Sequence, residues 1–513
     1  MGQEKLWIQK KSILGVNTKV KSVHLLNIEQ ILYSCGNHVL VWNTHTKNQT
    51  FLYQCSSGEE VQIIELFASR RQIAISVKKI DGGGGPQILI YDAITFKRKK
   101  AIKFQGDVNN DDSDVISLSF SMDGKQCTVL RDAPHYQLTL WNIEKSAKTV
   151  ASIRLATPSG KEIRRVTIQP SSSENKDVVV CASGNGIIRF FKVIDGIFRP
   201  ITVNLRREQQ NYIVQCWLSN KIAILGTDSN ELIVMENFVA QAVVSISGWD
   251  ESITSMISFS HGVILGGSKG SIRIYTCIKE NDYTLSLSKD LSLDDKRVSE
   301  IVAIDKAATE EMVICLLSNG RICSCPLSDT NIAVGENIVP WFHDIGSDGT
   351  CRVICMDICL LKPIVATGGV DRSLRIWNFE TNDFELMSSF QDDIISISLH
   401  PSSLQILICF KNHVELNYIY NSGLSEVWSR ELQTTGSSCF SNGGQHFALV
   451  CGPFVQVYGT YKFDPICTLR GHTAPIKAIA WRHDDLELAT IGSDNVICMW
   501  NVPNGKRKLR HGE

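Results

Sequence analysis

A histidine and an aspartate late in the sequence have the residue types of a catalytic dyad. His472 follows Gly471, Asp494 lies further along the chain, and Thr490 supplies a hydroxyl between them. An imidazole held by a carboxylate can act as a general base, and a nearby hydroxyl can act as a nucleophile. Whether these residues do chemistry depends on the elements that position them, because geometry must precede any catalytic role.

Three other stretches contain residue types that bind metals or phosphates, but their spacing argues against it. Cys351, Cys355 and Cys359 are four residues apart, which on a strand separates neighbours by about 13 Å. Zinc ligands lie about 2.3 Å from the metal, so these thiols are too far apart to share one. The acidic stretch 107–114 lacks the glycine and glutamate of a calcium loop, and 81–86 lacks the Lys-Ser/Thr of a phosphate loop. We expect no metal and no cofactor.

A short pattern recurs eleven times along the chain. Each copy has a turn residue, then alternating apolar positions, and the clearest copies end in tryptophan. Alternation with period two is typical of half-buried strands. The copies recur at intervals of about 40–50 residues, close to the length of a WD40 propeller blade. We expect these tryptophans to pack between blades rather than to form a ligand site. The tryptophans are Trp42, Trp141, Trp377 and Trp500.

The repeat predicts an all-β fold made of tandem WD40 β-propellers. A blade cannot bury both faces alone, so blades must stack around an axis. Seven blades predict a complete first propeller over 1–335, in which the segment 7–11 is expected to add an outer strand to the seventh blade. About four blades predict a second, incomplete propeller over 336–513. Either a longer native chain or another protein is expected to cover its exposed ends, and the cost of exposed edges favours the longer chain.

The repeat pattern also assigns a role to the histidine and aspartate. In the WD40 family, the residues that match His472, Thr490, Asp494 and Trp500 form a hydrogen-bonded chain within one blade. Losing one member leaves its partner unsatisfied in a partly buried site. We therefore expect a structural network at these four residues, no catalytic residues, and no enzyme activity.

Composition favours a soluble protein of a reducing compartment. Hydrophobic residues make up 43% and charged residues 20% of the chain, and the formal net charge is −1. No global positive field attracts nucleic acid or an anionic membrane, so neither is an expected partner. The polar N-terminus lacks a signal peptide, and no apolar run reaches the roughly 20 residues that span a bilayer. The 17 cysteines are mostly isolated in apolar runs, which is typical of reduced, buried thiols.

The sequence resembles the cilia- and flagella-associated protein 57 family, whose members are axonemal WD-repeat proteins. The resemblance lies in the order of the segments and in sequence motifs that are not part of the standard repeat, since single WD40 motifs are common. The family's propellers are followed by a long coiled coil that this sequence lacks, so dimerisation through a coiled coil is not expected. The matching segments are 13–17, 36–42, 96–100, 138–146, 183–191, 371–382, 396–401, 439–444 and 469–473.

The resemblance implies a non-catalytic scaffold of the ciliary or flagellar axoneme that supports ciliary motility. Its implied partners are components of the inner dynein arm, the regulatory complex or the radial spoke on doublet microtubules. Tubulin is a further candidate, contacted directly or only through neighbours. Its implied location is the cytoplasmic cytoskeleton of the cilium or flagellum. The alternative is a WD40 scaffold of a non-ciliary assembly, such as one for ribosome biogenesis or a vesicle coat, because fold alone does not fix function.

Overall fold

We describe the protein from a computed structural model of the whole chain. Most of the glycine-rich stretch 81–86 and of the acidic stretch 107–114 lies outside the described residues, as does Cys351. The structure describes residues 11–55, 58–67, 71–80, 85–104, 113–133, 135–144, 148–158, 160–170, 178–205, 210–279, 282–292, 299–327, 336–339, 342–343, 352–359 and 361–511.

The described chain folds into strands only, in eleven four-stranded antiparallel sheets that we call blades 1 to 11. The strands are numbered β1 to β44 in chain order, and each blade runs from its innermost strand to its outermost strand. The predicted all-β fold of tandem propellers, seven blades followed by four, is confirmed. Among the described residues, no helix is long and apolar enough to cross a membrane.

The chain divides into two compact units, 1–341 and 342–513. The predicted boundary between residues 335 and 336 stays a prediction. The first unit contains blades 1 to 7. Their strands are Val23–Leu25, Gln30–Cys35, His38–Asn43 and Gln49–Tyr53; Glu59–Leu66, Gln72–Lys79, Gln87–Asp92 and Arg98–Lys103; Val115–Phe120, Gln126–Arg131, Gln137–Asn142 and Lys148–Arg154; Ile163–Ile168, Val178–Gly184, Ile187–Ile194 and Ile197–Ile201; Tyr212–Trp217, Ile222–Thr227, Glu231–Glu236 and Val239–Ser245; Ile253–Phe259, Gly262–Gly267, Ser271–Lys279 and Asp282–Ser292; Ile301–Lys306, Met312–Leu317, Ile322–Pro326 and Glu336–Asn337.

The second unit contains blades 8 to 11. Within it each blade packs on the next through apolar side chains that project from alternate positions of the strands. The strands are Val353–Cys359, Ile364–Gly369, Ser373–Asn378 and Asp383–Ser389; Ile394–Leu399, Gln405–Phe410, His413–Tyr420 and Gly423–Glu431; Ser438–Phe440, His446–Cys451, Phe454–Gly459 and Pro465–Arg470; Ile476–Trp481, Glu487–Gly492, Ile497–Asn501 and Lys506–His511.

The first unit is a closed ring in which blade 1 packs against blade 7. Their side chains share one apolar cluster, and the innermost strands of neighbouring blades contact one another around the ring. The Leu25 amide of blade 1 donates to Asp305 Oδ2 of blade 7 at 2.8 Å. The outermost strand of blade 7 is Glu336–Asn337, which pairs with the third strand. The segment 7–11, predicted for this position, lies almost wholly outside the described residues.

Candidate functional site

Blade 11 brings together the four residues of the predicted polar network. Trp500 Nε1 donates to Thr490 Oγ1 at 2.9 Å. Thr490 Oγ1 lies 2.8 Å from His472 Nε2, and His472 Nδ1 lies 3.0 Å from Asp494 Oδ1. Thr490 and Trp500 come from neighbouring strands, while His472 and Asp494 come from the segment before the blade and from its turn. The sequence thus places all four side chains in one hydrogen-bonded chain, and their stabilising role stays a prediction.

The atoms of this network determine which hydrogen-bond partner donates and which accepts. Because Trp500 can only donate, Thr490 Oγ1 accepts from it. The Thr490 hydroxyl proton faces His472 Nε2 at 2.8 Å and the Cys498 carbonyl oxygen at 3.4 Å. An ionised carboxylate can only accept, so His472 Nδ1 carries the proton of the hydrogen bond to Asp494. The Thr473 amide also donates to Asp494, at 3.0 Å. This hydrogen bond, together with those from His472 and the Val496 amide, holds the pKa of Asp494 below its usual range although partial burial opposes the shift.

The order Asp494, His472, Thr490 matches that of a catalytic triad, but the hydroxyl cannot reach a substrate. Thr490 is completely buried, and the His472 side chain is also inaccessible. The Thr490 oxygen is already held by the indole of Trp500 as well as by His472. A nucleophile needs an open approach to the reacting atom. The arrangement is therefore suited to holding the blade together.

Blade 8 contains a second network that sequence reasoning missed. His343 Nδ1 lies 3.1 Å from Asp371 Oδ1, and His343 Nε2 lies 2.9 Å from Thr367 Oγ1. Trp377 Nε1 donates to Thr367 Oγ1 at 3.3 Å. The aspartate and tryptophan stood out in the sequence. The histidine did not, because it follows Phe342 rather than glycine and lies 28 residues before its aspartate, against 22 in blade 11.

The blade 8 network also contains a buried ion pair. Arg375 is completely buried, and its Nη2 lies 3.1 Å from Asp371 Oδ2. Its Nε donates to Ser373 Oγ at 3.2 Å, and Ser373 Oγ donates to Asp371 Oδ2 at 2.8 Å. A buried cation must be paired and hydrogen-bonded to be tolerated. Asp371 therefore both orients His343 and neutralises Arg375.

A glycine makes room for the histidine and aspartate in each network. A Cβ atom on Gly492 would lie 2.3 Å from Asp494 Oδ1 and 2.5 Å from His472 Nδ1. A Cβ atom on Gly369 would meet the corresponding Asp371 and His343 atoms at 2.4 Å. Each glycine precedes its aspartate by two residues. This spacing is the sequence signal that could have revealed the second network.

The comparisons with known proteins agree with this geometry. The family model for the WD domain, G-beta repeat, matches residues 463–501, which hold the complete network of blade 11. This protein has the tandem WD40 propeller fold.

The resemblance to the cilia- and flagella-associated protein 57 family is confirmed. The chain is 25% identical to cilia- and flagella-associated protein 57 of Mus musculus, over 97% of this chain and 43% of the mouse protein. It is 26% identical to cilia- and flagella-associated protein 57 A of Tetrahymena thermophila, over 77% of this chain and 31% of that protein. Cilia- and flagella-associated protein 44 of Mus musculus is 20% identical over 94% of this chain and 25% of its own length. The chain thus spans less than half the length of these relatives.

The other three predicted tryptophans all lie one residue before the end of the third strand of a blade, as Trp500 does, and all are buried. Trp42 Nε1 donates to the Ile338 carbonyl at 3.1 Å and so joins blade 1 to the chain that follows blade 7. Trp141 Nε1 donates to Thr139 Oγ1 at 3.1 Å. The Trp377 ring packs 5.8 Å from the ring of Phe342. Their role in blade packing stays a prediction.

The described cysteines form no disulfide, and no described group of histidine, cysteine, aspartate or glutamate residues has the arrangement of a metal site. Cys355 and Cys359 lie on the innermost strand of blade 8. Burial raises the pKa of Cys216 and Cys355 to about 12, although hydrogen bonds or nearby cations oppose the shift. Such thiols remain protonated at neutral pH and act as small apolar side chains.

A cluster of titratable residues lies on the innermost strands of three consecutive blades of the first ring. Asp305, His24 and Glu65 lie on the innermost strands of blades 7, 1 and 2. His24 Nε2 lies 3.1 Å from the Ile64 carbonyl oxygen. Burial raises the pKa of Glu65, and the charges of His24 and Arg165 oppose this shift. Sequence reasoning missed the group because its members are close only after the ring has closed.

Proposed function

We propose that this protein is a non-catalytic WD40 scaffold of the ciliary or flagellar axoneme. The observation that carries the proposal is its similarity to cilia- and flagella-associated protein 57 from a mammal and a ciliate, which for the mouse protein extends over 97% of this chain. Such a match includes the loops and irregular segments as well as the strands that every propeller shares. The matches to proteins whose names do not mention cilia or flagella, such as protein HIRA of Oryza sativa subsp. japonica, cover about a quarter of the chain.

The geometry supports a scaffold in two ways. The polar residues with catalytic types are buried within blades 8 and 11, where they join strands to one another. The blades are antiparallel sheets with buried central strands, which provide a rigid support for exposed loops. Loops held by a rigid scaffold are common positions for residues that bind partners.

The finer proposal is that the protein docks components of the inner dynein arm or of the regulatory complex on doublet microtubules. This proposal rests on the family resemblance. It agrees with the burial of Thr490 and Thr367, the hydroxyl groups of the two polar networks, which a substrate could not reach. Radial-spoke components and tubulin are further candidate partners. A protein in this position is expected to support ciliary movement through assembly rather than through chemistry.

Localisation tests the coarse proposal. A tagged copy at its native locus is imaged in a ciliated cell before and after detergent removes the ciliary membrane. We expect the signal to remain along the extracted axoneme. A nucleolar, vesicular or diffuse cytoplasmic signal would overturn the axonemal assignment and favour the non-ciliary scaffold.

Proximity crosslinking tests the finer proposal. Short-range crosslinks are formed in isolated axonemes, and the peptides joined to this protein are identified. Crosslinks to inner-arm dynein chains or regulatory-complex subunits are expected. Crosslinks to radial-spoke subunits or tubulin alone would replace the dynein-docking role while leaving the axonemal location intact.

A further inference from the structure

Blades 2 and 3 of the closed first ring carry a basic surface at one end. In each blade the turn after the first strand and the turn after the third strand lie at the same end, because successive strands are antiparallel. The described residues of the segments 67–71, 92–100, 121–125 and 142–144 include six cations and three carboxylates. The whole chain, in contrast, has a formal net charge of −1. Positive charge is therefore concentrated locally at this end of the ring.

Three of the six cations are already paired within the two blades. Lys99 Nζ lies 2.5 Å from Asp92 Oδ2, and Lys125 Nζ lies 3.4 Å from Glu144 Oε1. Lys100 Nζ donates to the Glu144 carbonyl at 2.8 Å and so ties the outermost strand of blade 2 to a turn of blade 3. These lysines thus hold the two blades together.

The other three cations, Arg71, Lys97 and Arg98, are exposed. Among the described residues, no carboxylate forms an ion pair with any of them, because Asp92 and Glu144 pair with lysines instead. The remaining carboxylate of this surface, that of Asp123, accepts the Ser121 hydroxyl of its own turn at 2.6 Å. Three cationic groups are therefore accessible to the carboxylates of a partner.

Two apolar side chains project at the same end of these blades. Ile94 is 76% exposed and Met122 is 56% exposed. The backbone of Ile94 is fixed, because its amide donates to Asp92 Oδ1 at 2.9 Å. A side chain displayed on a fixed turn loses less conformational freedom when a partner binds it.

The turns that carry these residues form one continuous surface. The Ala93 amide donates to the Arg71 carbonyl at 3.0 Å, which joins the two turns of blade 2. The Phe67 ring packs so closely on the adjacent turn of blade 3 that a Cβ atom on Gly124 would lie 2.8 Å from it. We call the exposed residues of this surface the basic corner. They are Arg71, Ile94, Lys97, Arg98 and Met122.

We propose that the basic corner binds an acidic polypeptide segment of a partner protein. Carboxylates of the segment pair with the three cations, and a bulky apolar side chain of the segment packs on Ile94 and Met122. Complementary charge orients such a partner and speeds its association, while apolar burial adds affinity. The inference rests on the proposed scaffold role, since it gives the chemistry of one partner.

The same corner is less suited to RNA or to a membrane. Proteins bind single-stranded RNA through aromatic side chains that stack on the bases, whereas the exposed apolar residues of the corner are aliphatic. Polybasic segments that recognise anionic membranes contain about four to eight cations, and the corner has three unpaired ones.

Cations on an outermost strand also prevent that strand from pairing with another sheet. This protective role accounts for the charge of Arg98, which begins the outermost strand of blade 2. It does not account for Arg71 or Ile94, because both lie on turns rather than on a sheet edge.

A defined peptide tests the charge contact. The probe is a short labelled peptide in which glutamates flank a pair of leucines, and fluorescence anisotropy measures its affinity for the whole chain. Binding should weaken as salt rises, and Lys97→Glu with Arg98→Glu should weaken it about tenfold or more. The matched control, Arg199→Glu with Lys221→Glu, makes the same charge change at exposed residues of blades 4 and 5. An equal loss in both double variants, or no binding of the peptide, would overturn the proposal.

A second set of variants tests the apolar contact. Ile94→Ser should weaken binding about threefold or more, as should a peptide with serines in place of its leucines. Ile80→Ser is the matched control, because Ile80 is 62% exposed at the opposite end of blade 2. Equal binding by the Ile94→Ser and Ile80→Ser variants would contradict the apolar contact.

The rival ligands are an RNA oligonucleotide and a vesicle that contains phosphatidylserine. Tighter binding of either one than of the peptide, lost in the Lys97→Glu, Arg98→Glu variant, would also overturn the acidic segment. Localisation in the cell is measured independently of this peptide, so a failure of this inference is distinguishable from a failure of the axonemal assignment.

Discussion

His24 Nδ1 lies 3.7 Å from Asp305 Oδ2, across the seam where the first ring closes. The two residues belong to blades 1 and 7, at opposite ends of the unit's sequence. The other ring nitrogen of His24 faces the Ile64 carbonyl of blade 2. Both nitrogens therefore face oxygen atoms, an arrangement that favours the doubly protonated imidazolium. One side chain thus connects three blades at the seam.

The seam is expected to weaken as the pH rises. Burial lowers the pKa of His24, but Asp305, Glu65 and the Ile64 carbonyl outweigh burial and raise it above the usual value. The unfolded chain has the lower pKa, so the contribution of His24 is fully present below about pH 6.5 and is lost as the pH rises through the folded-state pKa. Protection of the Leu25 amide from hydrogen exchange, corrected for intrinsic rates, should fall as the pH rises above about 6.5.

The variant His24→Gln separates this effect from other titrations in the ring. Glu65 also has a raised pKa. The stability linked to its protonation begins to fall at a lower pH, near its unfolded-state pKa of about 4.3. In His24→Gln the protection of the Leu25 amide should change much less as the pH rises above about 6.5. An unchanged pH dependence in the variant would show that His24 does not control the seam.

Removing the Thr490 hydroxyl should destabilise the second unit. Thr490→Val preserves the shape of the side chain but leaves the buried Trp500 indole and the His472 ring without their common partner. An unsatisfied buried donor costs about 1–3 kcal/mol. Urea unfolding followed by far-ultraviolet circular dichroism should show this loss in the transition of the second unit. The control is Thr381→Val, an exposed turn residue, and an equal loss in both variants would contradict the network.

Adding one methyl group at Gly492 should separate His472 from Asp494. The new Cβ atom would overlap both side chains in a closed interior, and overpacking of this kind costs about 1–3 kcal/mol. Gly459→Ala is a matched control on the neighbouring blade, because its Cβ atom would meet nothing within 4 Å. Thermal unfolding should place the Gly492→Ala variant clearly below the control. If the two variants melt together, the close approach of His472 and Asp494 is unimportant for stability.

The buried ion pair of blade 8 should be more costly to break than to replace. Asp371→Asn removes the carboxylate charge from the buried pair with Arg375, and loss of one partner from a buried pair costs about 3–5 kcal/mol. The double variant Asp371→Asn with Arg375→Met removes the cation as well and should regain much of that stability. Urea unfolding of both variants measures the difference. A double variant less stable than Asp371→Asn would show that the guanidinium stabilises the blade without the carboxylate.

The sequence revealed the polar network of blade 11 and not that of blade 8, for a local reason. Blade 11 follows the common repeat in its Gly471-His472 dipeptide, in the glycine two residues before Asp494 and in Trp500 near the end of the third strand. In blade 8 the histidine follows Phe342, and a longer segment separates it from its aspartate. Short-range patterns find such a network only while the spacing between its members is standard.

The sequence by itself determined the strands, the eleven blades and the burial of the tryptophans, because alternation and turn residues act over a few neighbouring positions. Only the tertiary structure decided which blades close the first ring. Leu25 and Asp305 are 280 residues apart, and no periodic pattern encodes a contact over that separation.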